Sequence, residues 1–185
     1  MLARRRARLA EAVARRRVTL GFIFGALVLW LAEPTRDTIG AGVAIAIVGE
    51  GIRIWAAGHL NKSREVTTSG PYRWVAHPLY LGSSVMGIGV AVAAGRAIAA
   101  ILIAIYLSVT LTVAARAEEA FLERTFGDGY NRYRQKGPAS DADGDLRRFS
   151  PTQAIANREH RTVIGLAIAV LLLVLKATYN GSFWR

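Results

Sequence analysis

A chain of 185 residues with 52% apolar side chains and a formal charge of +11 has room for one compact unit and not for two large domains. Zero cysteines exclude disulfides, thiolate metal sites and cysteine nucleophiles, and leave the redox compartment open. The basic residues gather beside apolar runs, the pattern of anchors that orient membrane spans, so the charge argues for a lipid bilayer and against a nucleic-acid partner.

In chain order, the basic stretch MLARRRARLAEAVARRR leads into a first apolar run over 18–33. No small-x-small cleavage site precedes WLAEPTRD, so this run is expected to be a retained helix and not a signal peptide. A second run, 38–58, carries Glu50 and Arg53 three residues apart, where each unpaired charge would cost roughly 2.5–3.5 kcal/mol. A mutual ion pair between them is the simplest account. GHLNKSRE ends the run with His59, Lys62 and Arg64, which read as interfacial anchors or, through Lys62 and Arg64, as anion binders near the next loop.

That loop is GPYRWVAHPLYLGS, residues 70–83. SGP is turn chemistry, with the glycine free to take positive φ and the proline presetting the following turn. Pro78 restricts His77 to extended backbone and suits the first position of a helix, so the amides after it are expected to be open at a helix N-terminus, where anions bind. Two readings fit: a capped helix entry with Tyr72, Trp74 and Tyr80 in an interfacial aromatic belt, or a ligand site made of an imidazole, free amides and a phenol. The third run, 78–95, contains GIGV at 87–90, read as close helix packing because no strand precedes it.

The fourth run, 97–117, continues into RAEEAFLERTFGDGYNRYRQK. Glu118 and Glu119 are adjacent and therefore about 100° apart on a helix, so at least one is expected to face the protein. The alternative is an exposed helix end in which Arg116 and Arg124 pair with the glutamates. Phe121, Leu122, Phe126, Tyr130 and Tyr133 form a membrane-facing aromatic side, and FGDGY reads as a break. FSPTQAIANREHR reads as a short interfacial helix before a fifth run at 162–179.

Lys and Arg number seven before the first run, three in the 59–77 loop and nine between Arg116 and Arg161, against Arg36, Arg96, Lys176 and Arg185 on the other side. The positive-inside rule then puts the N-terminus in the cytoplasm and brings GPYRWVAHPLY and the 116–161 segment to one cytoplasmic face.

GPYRWVAHPLYLG followed, after a helical hairpin, by EEAFLERTFGDGYNRY resembles the core of the isoprenylcysteine carboxyl methyltransferase family, related to the phospholipid N-methyltransferases. The likeness covers roughly residues 50–136, and the two halves are specific only together. It implies S-adenosylmethionine as methyl donor and a lipophilic acceptor entering from the bilayer, such as an isoprenylcysteine carboxylate. Residue by residue, it implies that Tyr72, His77, Pro78 and Tyr80 contact the donor, that Leu81 and Gly82 allow close approach, and that Glu118 and Glu119 lie in the same pocket. Lys136 and Pro138 fall where the family has a basic residue and a proline, before an insertion-like ASDADGD. One departure stands out: Ala76 takes the place of the family's arginine before HP, so either Arg73, Arg64 or Lys62 supplies that cation, or the acceptor differs from a prenylcysteine carboxylate, or the activity is lost. Glu119 and Arg73 are the expected catalytic residues. Glu50, Arg53, Lys62, Arg64 and Arg158 are the expected acceptor side, with Asn157, Arg158 and Glu159 closing the pocket.

Methyl transfer from a sulfonium is a direct displacement that needs alignment and exclusion of water, so no triad or metal is required. His59, His77 and His160 lack metal-ligand spacing, and no metal is expected. The expected architecture is an all-α polytopic membrane bundle of about five transmembrane helices with a cofactor pocket at the cytoplasmic face. It forms a single integral membrane domain over 1–185: a basic segment and first helix (1–37), a methyltransferase-like core (38–136), and an interfacial segment with the last helix (137–185). The competing functions are an NADPH-dependent membrane reductase of related helical core and a non-catalytic scaffold that keeps the fold. The acceptor and the oligomeric state are not legible in the sequence.

Overall fold

The computed structural model describes residues 19, 21–61, 67–127 and 148–184. Among these the regular structure is entirely helical: α1 (Gly21–Leu31), α2 (Arg36–His59), a 3-10 turn (Gly70–Arg73), α3 (Pro78–Ala93), α4 (Ala97–Phe126), α5 (Pro151–Ala156) and α6 (Glu159–Tyr179). The protein is an integral membrane helical bundle. Of the five expected spans, α2, α4 and α6 are long and apolar enough to cross a bilayer, while α1 and α3 are shorter apolar helices. Lys62, Arg64, Tyr130, Tyr133, Lys136, Pro138 and the ASDADGD stretch lie outside the described residues.

Local chemistry sets the helix ends. Thr35 caps α2 by accepting from the Thr38 amide at 3.2 Å, while Thr38 Oγ1 accepts from the Thr35 amide at 2.9 Å, closing a reciprocal box. Gly127, at φ +45°, ends α4 where FGDGY predicts the break.

The most extensive helix pair is α2 with α3, and small residues make it possible. A Cβ on Gly89 would sit 2.5 Å from the Ala46 amide nitrogen, and one on Gly82 would sit 2.7 Å from the Gly49 carbonyl oxygen. Cβ atoms on Gly42 and Gly49 would likewise overlap backbone atoms of α3. The GIGV glycines therefore serve helix contact, as their place inside an apolar run predicts, with Gly87 receiving the Leu107 side chain of α4. Since backbone cannot yield as a side-chain tip does, Gly49→Val is expected to push α2 from α3 and destabilise the bundle by about 1–3 kcal/mol. A lowered thermal midpoint in detergent checks this, and an unchanged midpoint would show that the helices do not approach so closely.

At the end of the bundle away from the HPLY loop, Val28, Ala32, Ile39, Ala93, Ala94, Ile103 and Leu173 form a core. Lys176 Nζ donates to the α1 carbonyls of Leu29 and Trp30 at 2.6 and 2.7 Å, and Arg96 meets Glu33 at 2.6 Å. The first is a cation on orphan helix-end acceptors, which docks α6 against α1. Phe24 stacks on Tyr106 with ring centroids 4.2 Å apart, joining α1 to α4.

Candidate active site

The opposite end collects the C-termini of α2 and α4 and the N-termini of α3 and α6. Gly70 takes φ +58° and Pro71 opens the 3-10 turn, as SGP predicts. The turn buries Pro71 and Tyr72 and leaves Arg73 exposed. His77 is the N-cap of α3, at φ −131°, and Pro78 is its fully buried first residue. The expectation of open amides behind Pro78 is met only in part, since among the described residues the Leu79 amide has no acceptor but the next two are paired. The Tyr80 and Leu81 amides both donate to the His77 carbonyl at 3.1 Å, because His77 turns into the helix as a cap and presents its carbonyl to that first turn.

The side chains deliver what the amides do not. His77 Nε2 lies 3.3 Å from Glu119 Oε1, and Nδ1 lies 3.8 Å from Glu118 Oε2. Tyr80 interacts electrostatically with Glu118, and its ring is 5.4 Å from the imidazole, centroid to centroid. Two adjacent glutamates, which one helical stripe cannot share, thus both reach the same histidine from α4. All four groups are partly exposed, so the arrangement is an open polar cup at the bundle's end and not a sealed core network. It presents carboxylate and imidazole acceptors, suited to amine and hydroxyl donors, and a negative environment suited to a cation.

Other predicted residues are placed differently. Gly82 faces α2, where a Cβ would strike Arg53, and Leu81 is 44% exposed. Ala76 is exposed beside His77. Arg158 takes a left-handed conformation at φ +65° and forms the elbow between α5 and α6. Asn157 donates to the Ala57 and Leu60 carbonyls at 2.8 and 2.9 Å, and Gln153 adds a 2.9 Å bond to Leu60, so α5 closes the C-terminus of α2.

Beneath the cup lies a buried charge cluster. The Glu50–Arg53 pair expected from the sequence is present at 3.7 Å, but the tighter partner of Arg53 is Glu159 of α6, at 2.6 Å. Arg53 also donates to Ser83 Oγ, to the Leu79 carbonyl at 3.4 Å and to Thr162 Oγ1 at 3.3 Å. The sequence reading missed Glu159 as a partner of Arg53. No sequence signal pointed to it, because Arg158 and Arg161 flank Glu159 and offer nearer basic partners.

An apolar cavity of about 680 Å³ opens between α1, α3, α4 and α6, lined among others by Phe24, Met86, Val90, Tyr106 and Leu172, with Ser83 at its edge. Its walls suit hydrocarbon, and Ser83 links it to the charge cluster.

Three curated relatives are similar to this chain. Protein-S-isoprenylcysteine O-methyltransferase of Schizosaccharomyces pombe is 30% identical over 96 residues, covering 52% of this chain and 41% of the relative. The nickel-cobalt-cadmium resistance protein NccN of Alcaligenes xylosoxydans xylosoxydans is 31% identical over 112 residues, covering 60% of this chain and 51% of the relative. The cobalt-zinc-cadmium resistance protein CzcN of Cupriavidus metallidurans is 30% identical over 136 residues, covering 66% of this chain and 60% of the relative. The chain thus spans between two fifths and three fifths of the length of these relatives. No solved structure matches it. The phospholipid methyltransferase family model matches residues 18–129, a stretch that runs from α1 through the HPLY loop to both glutamates and takes in more than half of the chain. The protein belongs to the phospholipid methyltransferase family.

Proposed function

We propose that the protein transfers a methyl group from S-adenosylmethionine to a lipophilic acceptor at the membrane interface. The observation that carries this is the meeting of His77 and Tyr80 with Glu118 and Glu119 at the bundle's end, in a chain whose family transfers methyl groups. When bound, the cofactor supplies a methyl group on a cationic sulfur. The carboxylates suit that charge: Glu118 and Glu119 accept from the donor's amine and ribose hydroxyls, and His77 and Tyr80 hold the two carboxylates in place. Tyr72 and Pro78 shape the neighbouring wall, and Leu81 and Gly82 keep the first turn of α3 narrow. Glu119 and Arg73 are assigned to the reacting end, Glu119 to orient the donor and Arg73 to meet an anionic acceptor in place of the cation absent at Ala76. The acceptor's hydrocarbon lies in the apolar cavity, and Glu50, Arg53 and Arg158 are assigned to the side of its head, a role for which the sequence also offers Lys62 and Arg64. The positive-inside count puts this end in the cytoplasm.

The test is calorimetric titration of the detergent-purified protein with S-adenosylmethionine, S-adenosylhomocysteine and NADPH. Micromolar binding of the adenosyl ligands with none of NADPH is the expected result. NADPH binding alone would replace the methyltransferase by a reductase, and no binding of any of the three would leave a non-catalytic scaffold.

A further inference from the structure

The two arms of the Arg53 guanidinium face different helices. Nη2 meets Glu159 Oε1 at 2.6 Å and Thr162 Oγ1 at 3.3 Å, both on the first turn of α6. Nη1 meets the Leu79 carbonyl at 3.4 Å and Ser83 Oγ on the first two turns of α3. Leu79 lies between His77, which caps that helix, and Ser83, which donates back to the Leu79 carbonyl at 2.8 Å. One planar, forked cation therefore ties the turn that carries His77 and Tyr80 to the start of the last span.

The far side of this tie is fixed as well. Asn157 and Gln153 hold the α5–α6 elbow on the end of α2, the Ser150 amide donates to the Gly58 carbonyl at 3.2 Å, and Arg158 turns the chain through a left-handed conformation. Glu159 emerges from that turn only 5% exposed and directed at Arg53. Holding charges in such a place is not the economical way to join helices. Buried ion pairs give little or no net stability over apolar packing, and charges within spans mark function more often than support.

We infer that Arg53 and Glu159 are positioning residues: Glu159 orients the Arg53 fork, and the fork sets the height and rotation of the first turn of α3, hence of His77 and Tyr80 against Glu118 and Glu119. This rests on the donor-site reading of that cup. Neither residue touches the reacting groups. They act through Leu79 and Ser83, and they make the last span, which lies beyond the 18–129 family match, part of the donor site's support.

The test replaces the cluster by apolar side chains, Glu50→Leu, Arg53→Met and Glu159→Leu together, so that no charge is left buried without its partner. Thermal midpoint, S-adenosylhomocysteine affinity and amide hydrogen exchange over residues 77–84 are read on the full chain in detergent. The expected result is an unchanged or higher midpoint, ligand binding weaker by about tenfold, the loss of one well-placed hydrogen bond, and faster exchange in that turn. Arg53→Lys, which keeps the charge but not the fork, is expected to weaken binding similarly, whereas Glu159→Gln, which still offers an acceptor to Nη2, keeps most of the affinity. Affinity retained in both the apolar variant and Arg53→Lys would overturn the inference, even if exchange rises, because the cluster would then be merely structural. If the unmodified chain binds no adenosyl ligand, the donor-site reading is what fails, and unchanged exchange over 77–84 in the apolar variant would overturn the positioning role independently.

Discussion

Replacing His77 by alanine or Glu119 by glutamine is expected to weaken S-adenosylhomocysteine binding by about 10- to 100-fold, with thermal stability changed by less than about 0.5 kcal/mol. The magnitude is that of a hydrogen bond to a charged group, since the 3.3 Å contact between Nε2 and Oε1 joins the only described pair that bridges the α3 cap directly to Glu119. Without the imidazole, Glu118 keeps its interaction with Tyr80 while Glu119 loses its tether to α3, so donor groups meet one anchored carboxylate where two stood. Both side chains are partly exposed, which is why folding is expected to tolerate their loss. Calorimetry paired with a thermal melt measures the two quantities on one sample. Donor affinity that survives in both variants would remove the cup from the donor site.

How far this site could be read from the sequence follows from the range of the interactions that build it. Gly70, Pro71, His77 and Pro78 act within a few residues, so turn chemistry and the helix entry were legible, as was the end of α4 at Gly127. The meeting of HPLY with the paired glutamates was legible one step further out, because an antiparallel hairpin of α3 and α4 returns the chain to the same end. Fewer amides are open than the helix entry suggests, because the cap carbonyl of His77, a detail of backbone geometry, takes up the Tyr80 and Leu81 donors. The Arg53–Glu159 contact was not legible at all. Spacing within α2 pairs Arg53 with Glu50, and only the packing of α6 beside α2 brings in an acid from beyond a long connection. Likewise the resemblance gives Gly82 a part in close approach to the donor, whereas the close approach that the structure shows at Gly82 is that of α2, with the Arg53 side chain against it.

The second large effect is one of stability, and its sign differs among the three charged residues of the cluster. Arg53→Met alone is expected to destabilise the protein by about 3–5 kcal/mol, because it strands two buried carboxylates with no cation between them. Glu159→Leu should cost less, since Arg53 retains Glu50 at 3.7 Å and its bonds to Ser83 and Leu79. Glu50→Leu should be neutral or stabilising: both Glu50 oxygens are buried without a hydrogen-bond partner and stand 3.7 Å or more from Arg53, so its removal ends a desolvation cost, while Arg53 keeps Glu159, whose Oε1 likewise lacks a hydrogen bond but forms the closer ion pair at 2.6 Å. The ranking, Arg53→Met far below Glu159→Leu and Glu50→Leu at or above the unmodified chain, is checked by thermal midpoints of the single variants in one detergent. A Glu50→Leu variant as unstable as Arg53→Met would mean that Glu50, and not Glu159, is the counter-charge that holds the fork, and the support of the donor site would then run within α2 and α3 without the last span.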